Sequence, residues 1–236
     1  MNTIAERLQA VRDSIAQAVL KGGRNSDAVM LLAVSKAHSA EACLMAYEAG
    51  QRHFGENYLQ EAIQKQTELK NLPITWHFIG PIQSNKTQLI AQHFDWVHGV
   101  DRLKIAERLN AARPTSLSPL QICIQVNVSH EDSKSGLAVE EVPMLAAAIS
   151  RLPNLKLRGL MTIPAPTNSA ALQQKQFRIL TQCFADLQKQ GYAIDTLSMG
   201  MSDDFEIAIA EGATIVRIGS AIFGARQQNL ANQSSP

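Results

Sequence analysis

The chain has 236 residues, 45 % of them hydrophobic and 18 % charged, and its 22 Lys and Arg residues nearly balance its 21 Asp and Glu residues. This composition suits a globular protein that buries a sizeable core, and it excludes an intrinsically disordered chain. A net charge of +1 gives no general attraction for nucleic acid or an anionic membrane, so we expect neither as a partner.

The first predicted element is an amphipathic helix. The segment from Thr3 to Glu6 has the pattern of a capping box, and apolar residues recur at helical intervals as far as Val19. Gly22 and Gly23 are expected to end this helix. Charged residues interrupt its apolar positions, which is not the pattern of a secretory signal peptide.

Segments typical of strands and helices then alternate along the rest of the chain. The predicted strands are Val29–Val34, His53–Gly55, Trp76–Ile79, Trp96–Val97, Leu120–Val128, Leu155–Met161, Ile194–Ser198 and Thr214–Ile218. The helical segments that follow them are Ser39–Ala49, Tyr58–Lys70, Lys86–His93, Leu103–Ala112, Val139–Ser150, Ala170–Lys189, Asp204–Ala210 and a short turn near Ala221.

This alternation predicts an α/β fold, a single (β/α)8 TIM-type barrel with an extra N-terminal helix. Strands that alternate with helices form parallel sheets with right-handed crossovers, and eight such units close into a barrel. A doubly wound open sheet is the structural alternative. We expect residues 1–236 to form one domain, with a polar, frayed tail over residues 227–236.

The cysteines and histidines give no metal or disulfide pattern. Cys43, Cys123 and Cys183 are far apart and form no C-x-x-C pair, so a reducing cytoplasm is the expected location. His93 and His98 are not spaced with carboxylates as a metal site requires. No run approaches the roughly 18 apolar residues that a membrane span needs.

Functional residues of such barrels gather where the strands end and the following loops begin. The first predicted strand is followed by Ser35 and Lys36. A lysine at the barrel mouth is partly desolvated, which lowers its pKa and suits it to Schiff-base formation. The alternative is a solvated lysine that opens a loop.

Two turns rich in glycine and serine predict a phosphate site. Ser198 ends the seventh strand and is followed by Met199–Asp204, which contains Ser202, whereas Gly219 and Ser220 follow the eighth strand. Backbone amides, hydroxyls and helix N-termini in such turns hold anions, and these two loops are the usual phosphate site of barrels. The alternative is that both are only tight turns.

Two further residues at the strand ends are candidate ligand contacts. Arg217, on the eighth strand, either pairs with a carboxylate or faces the ring nitrogen of pyridoxal phosphate. Asn57, after the second strand, either hydrogen-bonds a ring hydroxyl or caps the next helix.

Four other polar residues near the strand ends are open to two interpretations. His77 fits a core or rim position as well as a catalytic one. Gln125 and Asn127 indicate either a wet barrel mouth or buried amides bonded to their neighbours. Lys134, in a polar loop, is interpreted as solvated rather than catalytic.

Seven segments of the chain resemble the YggS/PROSC family of pyridoxal phosphate homeostasis proteins. They occur in the family's order, cover nearly the whole chain, and include two highly specific motifs, WHFIGPIQSNK and SMGMSDD. The segments are LLAVSK (Leu31–Lys36), FGENYLQE (Phe54–Glu61), WHFIGPIQSNK (Trp76–Lys86), SKSG (Ser133–Gly136), RGLMTIPAP (Arg158–Pro166), LSMGMSDDFEIAIAEGAT (Leu197–Thr214) and VRIGSAIFGAR (Val216–Arg226).

The resemblance implies a fold-type III pyridoxal phosphate barrel like the N-terminal domain of alanine racemase. It implies that Lys36 carries the cofactor as a Schiff base, that Asn57 lies near the ring hydroxyl and that Arg217 faces the ring nitrogen. The phosphate contacts that it implies are Ser202, Gly219 and Ser220. Two methionines are implied to pack around the ring and the phosphate turn, Met161 and Met199. The family often has Thr in place of Ser220, and either hydroxyl can donate to phosphate.

A racemase of this fold needs a base on each face of the substrate carbon. In the racemases that this chain resembles, the second base is a tyrosine from the C-terminal β domain of a partner subunit. The 16 residues after Ser220 are too few for such a domain, and none of Tyr47, Tyr58 and Tyr192 is a clear second base.

We therefore expect a non-catalytic carrier and regulator that binds pyridoxal phosphate and acts in intracellular vitamin B6 and amino-acid homeostasis. Amino acids are expected as further ligands, and the protein is expected to be a cytoplasmic monomer. One alternative is a weak amino-acid racemase that uses Lys36 with a water or His77. The other is a class I sugar-phosphate aldolase.

Overall fold

The computed structural model describes residues 2–129 and 135–225, and the strands within these ranges form a closed parallel barrel. Each strand pairs with the next along the chain, and β8 (Ile215–Ile218) returns to pair with β1 (Met30–Val34). This closure confirms the predicted barrel and excludes the open-sheet alternative. The other strands are β2 (His53–Glu56), β3 (Thr75–Phe78), β4 (Trp96–Val100), β5 (Leu120–Gln125), β6 (Leu155–Met161) and β7 (Thr196–Ser198).

Helices connect the strands and surround the barrel. They are α1 (Ile4–Lys21), α2 (Ala40–Glu48), α3 (Leu59–Glu68), α4 (Thr87–His93), α5 (Leu103–Ala112), α6 (Val142–Ile149), α7 (Ala170–Lys189), α8 (Phe205–Ala210) and α9 (Ser220–Phe223). None of the helices in the described ranges has both the length and the apolarity that a bilayer crossing needs. The predicted tail over 227–236 and Lys134 lie outside the described residues.

The N-terminal helix α1 forms as predicted, with both hydrogen bonds of the capping box. Glu6 N–H donates to Thr3 Oγ1 at 3.2 Å, and Thr3 N–H donates to the Glu6 carboxylate at 2.7 Å. The helix ends at Lys21, with Gly22 as its C-cap. It packs against α2, α8 and α9, which flank the pairing of β1 with β8.

Two strands differ from their predicted bounds by three residues, more than any other strand. β5 ends at Gln125 rather than Val128, because the chain beyond it forms hydrogen bonds within the loop that follows the strand. Asn127 N–H donates to the Leu137 carbonyl at 2.9 Å. β4 continues past Val97 to Val100, although a histidine and a glycine interrupt its apolar pattern. His98 therefore lies on a strand, inside the barrel.

The apolar core lies mainly between the strands and the helices, whereas the barrel interior is partly polar. Phe78 faces outward, and its ring contacts that of Phe94 at the end of α4, at 5.2 Å between centroids. His77, one residue earlier, faces inward and contacts His98. Burial of each large apolar side chain in the outer layer stabilises the fold by about 1.5–3 kcal/mol. The polar inner layer leaves hydrogen-bonding groups beneath the barrel mouth.

Candidate functional site

A cavity of about 330 Å³ opens at the carboxyl ends of the strands. Parallel strands of a barrel all end at the same rim, so loops that are far apart in sequence meet there. Six of the eight residues predicted to bind a cofactor line this cavity: Lys36, Asn57, Ser202, Arg217, Gly219 and Ser220.

Polar side chains hold the residues on both sides of Lys36. The Ser35 hydroxyl donates to the Glu56 carboxylate at 2.6 Å, and the Ala37 N–H donates to Glu61 at 2.7 Å. Ala37 has a φ of 60°, a left-handed conformation that costs a non-glycine residue roughly 1–2 kcal/mol. The bond to Glu61 fixes this conformation, so Lys36 enters the cavity from a backbone with a defined direction.

These contacts belong to an ion cluster of Lys65, Glu56 and Glu61, in which Lys65 and Glu56 are buried and Glu61 is partly exposed. The Lys65 ammonium donates to Glu56 at 2.7 Å, to Glu61, and to the Ser35 carbonyl at 2.7 Å. Burial acts to lower the pKa of Lys65, but the two carboxylates outweigh this effect and raise it. Lys65 therefore stays charged at neutral pH, whereas burial raises the pKa of Glu56 despite the nearby ammonium. The contacts of Lys65 tie β1, β2 and α3 together beneath Lys36.

Arg217 is a buried cation on the cavity floor, with 4 % of its surface exposed. Its guanidinium donates to Ser198 Oγ and to the Thr162 carbonyl, each at 2.8 Å. Among the described residues, no carboxylate forms an ion pair with Arg217, so the carboxylate pairing that the sequence left open is not observed. Burial lowers its pKa to about 10, so it remains charged at pH 7. A buried cation with neutral partners favours a ligand that supplies an acceptor.

The turn after β7 requires glycine at one position. Gly200 has a φ of +94°, and a Cβ there would lie 2.7 Å from the Ala208 Cβ. The Met201 N–H donates to the Asp204 carboxylate at 2.6 Å, which fixes the loop that carries Ser202. The turn therefore presents a hydroxyl to the cavity from a well-defined backbone.

The turn after β8 lies beside it. A Cβ on Gly219 would lie 3.1 Å from the Val34 carbonyl, so a larger residue would push the turn away from β1. The hydroxyls of Ser202 and Ser220 are 3.5 Å apart. Both hydroxyls can therefore donate to one anion between them.

Asn57 lines the opposite side of the cavity, and it does not cap the following helix. The residue before α3 is Tyr58, which has no side-chain cap bond. Asn57 Oδ1 is buried and has no hydrogen-bond partner among the described residues. Because a buried polar atom is costly when unsatisfied, a ligand hydroxyl is a suitable partner for this amide.

Neither of the two predicted methionines is among the residues that line the cavity. Met161 ends β6 and Met199 follows β7, and both are buried without lining the cavity. Met199 belongs to the apolar core between the strands and the helices. The methionine that does line the cavity is Met201.

The structure resolves the two interpretations of the remaining polar residues. His77 is fully buried, does not line the cavity, and has each ring nitrogen 3.0 Å from another histidine. Gln125 is buried and donates to the Ser135 carbonyl at 3.1 Å, whereas Asn127 accepts from the Ser129 N–H at 3.2 Å. The amides are thus bonded to neighbours.

Sequence reasoning missed several contributors to the site. The cavity is also lined by His38, Ile79, Ile163, Met201 and Asp203. The ring of His38 stacks on that of Phe223, with 5.1 Å between the centroids. Because His38 is two residues beyond Lys36, its proximity to the lysine was the signal available in the sequence. The ion cluster gave no such signal, since Glu61 and Lys65 have the i, i+4 spacing of an ordinary surface pair.

Comparison with known proteins identifies the family. A family model described as the N-terminal domain of alanine racemase matches residues 7–227. The pyridoxal phosphate homeostasis protein of Pseudomonas aeruginosa is 59 % identical over 226 residues, which cover 96 % of this chain and 97 % of that protein. The protein of the same name from Escherichia coli K12 is 53 % identical over 229 residues, with 96 % and 98 % covered.

A solved structure gives the same result. PipY of Synechococcus elongatus, with PLP bound, matches with a TM-score of 0.83 and 40 % sequence identity, covering 94 % of this chain and 100 % of that one. These matches agree with the resemblance of the sequence motifs. The chain therefore belongs to the alanine racemase N-terminal domain family and, within it, to the pyridoxal phosphate homeostasis proteins.

Proposed function

We propose that this protein binds pyridoxal phosphate at the barrel mouth, on Lys36 as a Schiff base, and acts in intracellular vitamin B6 and amino-acid homeostasis. The observation that carries the proposal is the meeting of an amine, a buried cation, two hydroxyls and an unsatisfied amide in one cavity. The names of the relatives and the PLP-bound structure of PipY support the choice of ligand.

The residues present fit this cofactor. The cavity of about 330 Å³ is within the range of roughly 300–1,000 Å³ that small-molecule sites have. Asn57 Oδ1 has no hydrogen-bond partner in residues 2–129 and 135–225, and the cofactor ring carries a hydroxyl that can supply one. Gly219 leaves space beside β1 where a side chain would intrude.

Each residue has a proposed role. When bound, pyridoxal phosphate supplies three groups: a pyridine nitrogen, a doubly charged phosphate and an aldehyde. The aldehyde condenses with an amine. Lys36 is the amine, and Arg217 is the donor to the ring nitrogen. The phosphate is held by Ser202, Gly219 and Ser220. An arginine donor keeps that nitrogen unprotonated and weakens the ring as an electron sink, which suits a carrier better than a catalyst.

The positions of the candidate bases also favour a carrier. Racemisation needs a base on each face of the substrate carbon. His77 is enclosed beneath the cavity by two other histidines, and Tyr58 is 56 % exposed and does not line the cavity. Lys36 is therefore the proposed cofactor attachment point rather than half of a catalytic pair.

Several finer statements belong to the same proposal. We propose that residues 1–236 act as one domain and as a cytoplasmic monomer, with amino acids as further ligands and without a nucleic-acid or membrane partner. The net charge of +1 supports the last point. The three cysteines, all in the described part of the chain, are buried free thiols, which suits a reducing compartment.

An absorbance spectrum of the purified protein, taken before and after borohydride reduction, separates the alternatives. The proposal predicts a yellow protein whose visible band disappears on reduction. A colourless protein that borohydride traps only with added sugar phosphate would instead indicate a class I aldolase. Loss of optical activity from an L-amino acid, abolished by Lys36→Ala, would contradict the non-catalytic part of the proposal.

A further inference from the structure

Three histidines inside the barrel form a hydrogen-bonded chain that ends at Arg217. His53 Nδ1 lies 3.0 Å from His77 Nε2, and His77 Nδ1 lies 3.0 Å from His98 Nε2. His98 Nδ1 lies 2.8 Å from Ser198 Oγ, the atom to which Arg217 donates at 2.8 Å. We call His53, His77, His98 and Ser198 the histidine relay.

The relay crosses the interior of the barrel. Its two inner histidines and Ser198 are fully buried, whereas His53 is half-buried and lies on the wall of a second cavity of about 320 Å³. His53 begins β2, so this second cavity lies at the amino-terminal end of the strands. The relay thus connects Arg217, on the cofactor cavity floor, with the other end of the barrel.

The arginine sets the direction of the hydrogen bonds. A guanidinium can only donate, so Ser198 Oγ accepts from Arg217 and its own hydroxyl proton is free to point at His98 Nδ1. His98 then carries its proton on Nε2 and donates to His77 Nδ1, and His77 donates from Nε2 to His53. In the reverse order, Ser198 would accept from two donors and need another acceptor for its own proton.

The two inner histidines of the relay, His77 and His98, are neutral at pH 7, as this order requires. Burial, followed by the charge of Arg217, lowers the pKa of His98 to about 3. Burial also places the pKa of His77 well below its ordinary value, and the neighbouring histidines add to the effect. Each neutral ring has one donor and one acceptor, which matches the two contacts of each inner histidine.

We propose that Ser198 and His98 are positioning residues that hold Arg217 at the floor of the cofactor cavity, and that the relay gives this support a single donor order. Within the described part of the chain, the guanidinium has two hydrogen-bond acceptors that anchor it, Ser198 Oγ and the Thr162 carbonyl. Loss of the first leaves the Arg217 side chain with one anchor, so its contact with the ring nitrogen changes. That this ring nitrogen belongs to pyridoxal phosphate rests on the proposed function.

The donor order can be tested without any cofactor. Nitrogen-15 NMR of the ligand-free, full-length protein at pH 7 should show His77 and His98 with Nε2 protonated and Nδ1 unprotonated. Ser198→Ala should move the His98 Nδ1 resonance, because that nitrogen loses its donor. Inner histidines with protonated Nδ1 atoms in the wild type would overturn the proposed order.

The positioning role is tested with added pyridoxal phosphate. Ser198→Ala removes a hydrogen bond to the charged guanidinium, and His98→Leu removes the acceptor that orients the Ser198 hydroxyl. Each variant should shift the visible absorption maximum and weaken binding about 10-fold. His98→Asn keeps an acceptor near the Nδ1 position and should restore most of the wild-type spectrum. Thr87→Val is the matched control and should behave like the wild type. It removes a buried hydroxyl that donates to the Ser84 carbonyl at 2.9 Å and does not line the cofactor cavity.

The outcomes separate this inference from the proposed function. If the wild type binds the cofactor but Ser198→Ala and His98→Leu match it in spectrum and affinity, the positioning role is wrong. If His98→Leu does not fold, Ser198→Ala, which removes one oxygen atom, decides. A wild type that shows no visible band would overturn the proposed function, and the NMR spectrum would still decide the donor order.

Discussion

At the scale of single residues, the site depends on side chains whose roles differ in how visible they are in the sequence. Lys36, Ser202 and Ser220 each lie within four residues of a strand end, so a barrel prediction was enough to bring them to one rim. Asn57 was ambiguous, because an asparagine before a helix is most often its cap. Only the three-dimensional arrangement shows that its amide oxygen is buried and has no hydrogen-bond partner in the described part of the chain.

Removal of both hydroxyls should weaken cofactor binding. Each hydroxyl is proposed to donate to the charged phosphate, and such a bond contributes about 1.5–3 kcal/mol. The double variant Ser202→Ala, Ser220→Ala should therefore lose pyridoxal phosphate in equilibrium dialysis at concentrations that saturate the wild type. Ser116→Ala, on an exposed loop, is the control and should retain it. Equal retention by all three proteins would contradict the proposed phosphate site.

At the scale of elements, the turns and the ion cluster position the site. The turn after β7 depends on Gly200, where both the positive φ and the contact with Ala208 exclude a side chain. The ion cluster was not predictable, because whether a lysine on α3 faces solvent or the barrel depends on helix packing. Lys65 is 3 % exposed and Glu56 is 0 % exposed, so the pair is part of the interior.

Gly200→Ala should destabilise the protein more than Gly23→Ala. Both glycines have a positive φ, +94° and +64°, so each substitution costs roughly 1–2 kcal/mol of backbone strain. Only at Gly200 does the added Cβ also overlap another atom, since nothing lies within 4 Å of it at Gly23. Urea unfolding of both variants measures the difference. A Gly200→Ala loss no larger than that of Gly23→Ala would show that the turn adapts.

Lys65→Met should destabilise the fold strongly. It leaves two carboxylates beneath β1 without their cation, and breaking a buried pair in this way costs about 3–5 kcal/mol. The free energy of unfolding should fall accordingly and recover in part when Glu56→Gln is added. Lys189→Met, whose partner Asp186 is on the surface, is the matched control and should change stability little. Similar effects of both lysine substitutions would contradict the account of the cluster.

At the scale of the whole molecule, barrel closure explains both what the sequence predicted and what it did not. The alternation of strands and helices was sufficient for the topology, and closure of β8 on β1 brings Arg217 opposite Leu32 and beside the Lys36 loop. The relay could not be predicted from the sequence, because His53, His77 and His98 lie on three different strands. Only the barrel places these rings in one row.

The most direct test of the central claim is the location of the borohydride-reduced cofactor on the chain. Purified protein should be incubated with pyridoxal phosphate, reduced, digested and mapped by mass spectrometry, with Lys36→Ala treated in parallel. The account predicts one reduced phosphopyridoxyl group on Lys36 and a Lys36→Ala variant that is unlabelled at the site and lacks the visible band. A label on another lysine, or equal labelling of the variant, would contradict it.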